Sequence, residues 1–210
     1  MTNRRKKRVR GYITVSGIAM MMFAVLYIIS LQTSERTVKD NTIVQYVFTQ
    51  IVEQHRETVQ LYAKEHGIEE YTDVLLAIIL QESGGRGADP MQSSESLCGE
   101  VGCISDARQS IEQGVHYFAA ALEKAGGDLP LAVQSYNFGL GFIDYVQKND
   151  GEFSDEIVIE FSKMMYEQAD DPTKYSCLRE EAKQYNACYG DILYAEEVLS
   201  YKQKFAEKVE

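Results

Sequence analysis

The sequence predicts an all-α protein, and three observations carry that prediction. Apolar residues recur at three- and four-residue steps through successive segments, the period of a helix with one buried face. Those segments open on Ser, Thr, Asp or Pro and close on Gly, as helices do. Nothing in the chain shows strand-like alternation or an Asn-Gly hairpin, and no internal repeat is present.

The N-terminal segment differs in character from the rest. Arg4, Arg5, Lys6, Lys7, Arg8 and Arg10 form a basic cluster within residues 1–11, and residues 12–31 then run without a charge. An uncharged stretch of that length is expected to cross a bilayer as a helix. The positive-inside rule puts the cluster in the cytoplasm and the remainder of the chain outside. A cleaved signal peptide is the alternative, and it exports the same remainder. Residues 32–41 are polar and charged and read as a linker. Residues 42–210 read as one helical domain.

The 210-residue chain carries a formal net charge of −11, and the part beyond the basic cluster is more acidic still. That balance excludes nonspecific nucleic-acid binding, which needs a basic surface. The cysteines stand at 98, 103, 177 and 188. In an exported chain they are expected to form disulfides. Three pairings are possible, and proximity favours Cys98–Cys103 with Cys177–Cys188. Their spacing does not fit zinc, and His55, His66 and His116 are scattered, so no metal or cofactor is expected.

In chain order, a helix is expected from Thr42 to the stop at Gly67, with Val44, Val47, Phe48, Ile51, Val59 and Tyr62 inward and His55 on the same stripe. Thr72 and Asp73 open the next, whose apolar run from Val74 to Leu80 predicts burial on most sides; Gly84 closes it. Residues 84–104 form a long loop containing Pro90 and the first cysteine pair. Ser105-Asp106 starts a helix ending at Gly126-Gly127. Pro130 suits the first turn of another, stopped at Gly139. Further helices are expected near 142–148, from Ser154, and from Asp191 to the C-terminal region. Residues 170–190 read as a polar crossing that holds the second cysteine pair.

Chemistry concentrates at Glu82. A carboxyl at the inner end of a buried helix is desolvated and meets the negative end of the helix dipole, and both raise its pKa. A carboxylic acid still protonated near neutral pH can donate to a leaving oxygen, the first step of glycoside cleavage. Asp89 in the loop is the candidate second carboxylate, and Glu95 is another of the same kind. The alternative for Asp89 is a turn residue bonding local backbone. Ser83, Gln92, Ser93, Tyr136 and Asn137, with Glu95, are candidate sugar contacts.

Three segments in order, Glu82-Ser83-Gly84-Gly85, Met91-Gln92-Ser93-Ser94-Glu95 and Tyr136-Asn137-Phe138-Gly139, resemble the lysozyme-like superfamily of goose-type lysozymes and soluble lytic transglycosylases. Within it the chain is most similar to the CwlT-like lysozyme domain of Gram-positive conjugative elements, over roughly residues 40–205. The resemblance implies a lysozyme-like helical fold, Glu82 as general acid and Asp89 as the second catalytic carboxylate. It also implies a peptidoglycan substrate, cut at the β-1,4 bond between N-acetylmuramic acid and N-acetylglucosamine. The setting it suggests is local wall opening for a secretion or conjugation apparatus. A lytic transglycosylase and a non-catalytic glycan-binding scaffold are the alternative readings.

Overall fold

The computed structural model describes residues 47–149 and 151–206. The expected membrane span at 12–31, the linker at 32–41 and the first residues of the domain lie outside them. Among the described residues, no helix is long and apolar enough to cross a membrane.

The regular elements among the described residues are all helices, and no strand is present among them. In order they form α1 (residues 47–53), α2 (Arg56–Glu65), α3 (Thr72–Ser83), α4 (Ser94–Cys98), α5 (Ala107–Lys124), α6 (Leu129–Phe138), α7 (Gly141–Lys148), α8 (Asp155–Glu167), α9 (Glu180–Lys183) and α10 (Tyr194–Ala206), with short 3-10 turns at Glu69–Tyr71 and Pro172–Lys174.

Side-chain caps start several helices where the sequence puts them. Asp106 accepts from Arg108 N, Asp128 from Leu131 N and Ser154 from Ile157 N. Each bond satisfies an amide that the first helical turn leaves orphaned.

The expected continuous helix up to Gly67 is two helices. The chain turns at Gln54–His55, between α1 and α2. That turn resets the helical phase, and the inward stripe expected from a single period shifts at Val47 and Val52: Val52 is fully buried while Val47 stays about half exposed. The second departure is α4, a short helix inside the expected loop 84–104.

α3 is the centre of the core. Every residue from Val74 to Ile79 is fully buried. Each large aliphatic side chain among them contributes about 1.5–3 kcal/mol relative to exposure. α3 packs on α2 and α10, α2 on α5, α5 on α6, and α6 back on α10, so the helices close a ring. Beyond it, Phe138, Phe142 and Phe161 pack ring to ring at 4.9–5.4 Å, tying α6, α7 and α8 together.

Gly84 ends α3 in the left-handed conformation at φ 65°. A side chain there would also collide with Phe48, whose ring lies 2.8 Å from where a Cβ would stand. The turn therefore needs glycine for backbone and for space, because α1 lies against it. Its consequence is positional: the chain leaves the core just after Glu82.

Candidate active site

Glu82 sits in the last turn of α3, is half-buried, and lines a cavity of about 170 Å³. Burial pushes its pKa up to about 7, a hydrogen bond from Tyr194 pulls the other way, and the nearby carboxylates of Asp89 and Asp191 add to the upward push. Tyr194 Oη donates to Glu82 Oε1 at 2.5 Å. With Oε1 taken, the acid's proton belongs on Oε2. Tyr194 is itself buried, and burial keeps its own pKa far above the usual phenol value, so it stays a donor.

Asp89 faces the same cavity. Its Oδ1 accepts from Ser93 N at 2.9 Å and Ser110 Oγ at 2.6 Å; its Oδ2 accepts from Ser94 N at 3.1 Å and Ser94 Oγ at 2.6 Å. Burial alone would raise its pKa, but these bonds together hold it below the ordinary carboxylate value. The amides come from the N-terminus of α4, where a negative charge is favoured. Asp89 thus anchors the loop to α4 and α5, and near neutral pH it is ionised where Glu82 still holds its proton. Two carboxyls with pKa values driven apart in one cavity are what an acid paired with an anion requires.

The candidate sugar contacts divide into groove residues and supports. Gln92, Glu95, Tyr136 and Asn137 line the acid's cavity and also a neighbouring one of about 280 Å³, where Ser93, Tyr117 and Tyr189 join them. The shared residues make the two cavities one groove. Ser83 is a support. Its hydroxyl donates to Pro90 O at 2.8 Å, which ties the end of α3 to the loop. Ser93 is buried, and its hydroxyl donates to Ser110 O at 2.9 Å. Tyr136 donates to Met91 O at 2.9 Å, and Asn137 Oδ1 accepts Asp191 N at 2.8 Å, so both carry structure as well as lining the groove. Gln92 adopts a left-handed φ of 48° and is exposed, with its amide donating to Asp89 O. Both cysteine pairs form as proximity favours, Cys98–Cys103 and Cys177–Cys188.

Tyr194, the hydrogen-bond partner of Glu82, is the candidate-site residue that sequence reasoning missed. It sits inside an ordinary apolar stripe of α10, and only the docking of α10 on α3 reveals its partner. A network holds that docking. Arg179 bridges Asp191 at 2.6 Å and Glu197 at 2.5 Å, Glu197 accepts from Gln81, and the fully buried Gln134 bonds Asp191 O and Ala195 N.

Helices closed around a half-buried acid, with an open groove beside it, define the class that comparison with known proteins shows. The chain belongs to the lysozyme-like family, whose profile matches residues 49–202. It is 37% identical over 150 residues to the bifunctional muramidase/DL-endopeptidase CwlT of Bacillus subtilis, covering 71% of this chain and 41% of that protein. It is 33% identical over 160 residues to the uncharacterized membrane protein YocA of the same organism, covering 74% and 70%. Among solved structures, a protein from Staphylococcus aureus described as similar to lipoprotein, NLP/P60 family, superposes with a TM-score of 0.61 at 37% identity. That match covers 72% of this chain and 52% of the other.

Proposed function

We propose that the protein is a peptidoglycan hydrolase, a muramidase that cleaves the β-1,4 bond between N-acetylmuramic acid and N-acetylglucosamine. The observation that carries the reading is Glu82, kept protonated up to about pH 7 at the wall of an open groove. A glycan strand lies along the joined cavities, with Tyr117, Tyr136 and Tyr189 offering ring faces and Gln92 and Asn137 offering amides. Glu82 gives its Oε2 proton to the bridging oxygen as the glycosidic bond breaks. Asp89, ionised, stabilises the developing oxocarbenium ion and acts as base toward water. Ser94 Oγ lines the cavity and is the donor that water would displace to reach Oδ2. The muramidase in the name of CwlT supports the substrate assignment. The uncharged stretch at 12–31 supports a membrane anchor that holds the domain outside the cell, where it would open the wall locally for a secretion or conjugation apparatus.

The hydrogen bonding of Asp89 favours a second reading. A carboxylate has about four lone-pair sites, and here Ser93 N, Ser110 Oγ, Ser94 N and Ser94 Oγ occupy them. If none yields to water, the C6 hydroxyl of the cleaved sugar attacks its own C1, its proton passes to the Glu82 carboxylate left by the first step, and the enzyme is a lytic transglycosylase. Digestion of purified sacculi followed by mass spectrometry tests both. Reducing muramic ends are expected, and 1,6-anhydro ends would replace the first mechanism with the second. Release of either product by the Glu82→Gln protein at the native rate would remove the proposal altogether.

A further inference from the structure

Val101 is 76% exposed, yet it lines the cavity of Glu82 and Asp89. A single exposed valine is ordinary on a protein surface. This one is the aliphatic side chain in an otherwise polar and aromatic lining, and its placement is built rather than incidental. It stands in the ring closed by the Cys98–Cys103 disulfide, with Gly99 and Gly102 turning the chain on either side at φ 76° and 80°. The ring is also tied to the second carboxylate. Ser94 Oγ accepts Ile104 N at 3.3 Å and donates to Asp89 Oδ2. The loop that presents Val101 and the anion across from the acid are therefore held by one hydroxyl.

A pyranose has a C–H face as apolar as an aliphatic side chain, and burying one against the other removes both from water. We propose that Val101 is the cover of the substrate cleft: its side chain lies on the C–H face of the sugar bound beside Glu82, and the Cys98–Cys103 ring holds it in that place. The inference rests on the glycan-cleaving reading of the same groove and adds a residue that decides how tightly the reacting sugar is held and how dry the acid becomes. The other groups that face Glu82 or its cavity are Tyr194 from α10, Tyr136 from α6, Asp191, and Asp89 and Glu95 from the loop and α4.

Two measurements on the full chain test it. In the Glu82→Gln background, where strands are not consumed, cosedimentation with purified sacculi reads binding directly. Adding Val101→Ser is expected to weaken it about fivefold, the scale of a partly buried aliphatic side chain. Cys98→Ser with Cys103→Ser should reproduce that loss, and Val101→Ser carries the test alone if the cysteine variant fails to fold. With Glu82 intact, Val101→Ser should bring the alkaline limb of kcat to lower pH, because water reaches the acid in the complex. The limb of kcat/KM, which reports the free enzyme, should stay in place. Unaltered sacculus binding together with an unmoved kcat limb would overturn the proposal. Cleavage by the Glu82→Gln protein would instead defeat the enzymatic reading, and the binding comparison would still decide the role of Val101.

Discussion

Burying Glu82 carries a cost in stability, and the sign of that cost follows from its raised pKa. Its folded-state pKa is raised, so between about pH 4.5 and 7 the folded protein holds a proton that the unfolded chain has released. Stability therefore falls as pH rises through that window, and the full penalty is present above it. Glu82→Gln removes the penalty and keeps an oxygen for Tyr194 to bond. The variant is expected to be more stable than the parent by about 3 kcal/mol at pH 8, with the difference vanishing near pH 4; thermal denaturation at the two pH values checks it. Tyr194→Phe acts on the same carboxyl from the other side. The lost bond is one that lowers the pKa of Glu82, so the pKa should rise further and the alkaline limb of activity should move up in pH. Carbon-13 NMR titration of the Glu82 carboxyl reads the shift directly. The burial of Glu82 and its raised pKa were legible in the sequence, because a carboxylate that ends an unbroken apolar run is costly to bury and stands out from its neighbours. Its phenol partner was not, since 112 residues separate them and no local pattern marks a tyrosine that a distant helix will meet.

At the scale of elements, the sequence shows the long helices and hides the short ones. α3, α5, α6 and α8 follow from apolar period, caps and terminal glycines. The turn at Gln54–His55 carries no glycine or proline and leaves no mark; His55 there bonds Gly85 O through Nε2 at 3.1 Å, a tertiary contact. α4 is a single turn and owes its position to Asp89, which binds its N-terminal amides. The role of Asp89 as an anchor is therefore a property of the folded loop, foreshadowed only by the general taste of Asp for turn backbones. Gly114 shows how closely these elements meet. A Cβ added there would stand 2.7 Å from Met91 Cβ and 2.8 Å from Tyr136 Oη. Gly114→Ala would gain about 1 kcal/mol of helix propensity, but overpacking costs about 1–3 kcal/mol. A net loss of stability is expected in urea denaturation. Activity should fall as well, since Met91 and Tyr136 shape the groove.

Across the whole molecule, the site is assembled from distant segments that three kinds of link hold in register. α3 brings the acid, the loop and α4 bring the anion and one wall, α6 brings the opposite wall, and α10 brings the bond to the acid. The disulfides pin the segments that flank the groove, Arg179 binds the segment before α10 to its acidic partners, and buried amide side chains such as Gln134 seat α10 on α6. Arg179→Gln would leave Asp191 buried without its cation. Because the guanidinium is partly exposed, the expected loss is about 2 kcal/mol, below the range for a fully buried pair. The loss in urea denaturation should come with weaker cleavage as Tyr194 shifts. Opposed charges at 179, 191 and 197 are visible in the sequence, but their meeting is not, because it depends on how the crossing at 170–190 folds back. The fold class and the order of the three candidate-site segments were legible; the groove they enclose is a product of packing.

The central claim is that burial holds one carboxyl protonated where glycan is cut, and the pH profile of kcat/KM on purified sacculi tests it most directly. The expected profile is a plateau that breaks near pH 7, with the rate falling tenfold for each further unit as Glu82 ionises. A break near pH 4.5, the ordinary glutamate value, or a rate undiminished through pH 9, would contradict it.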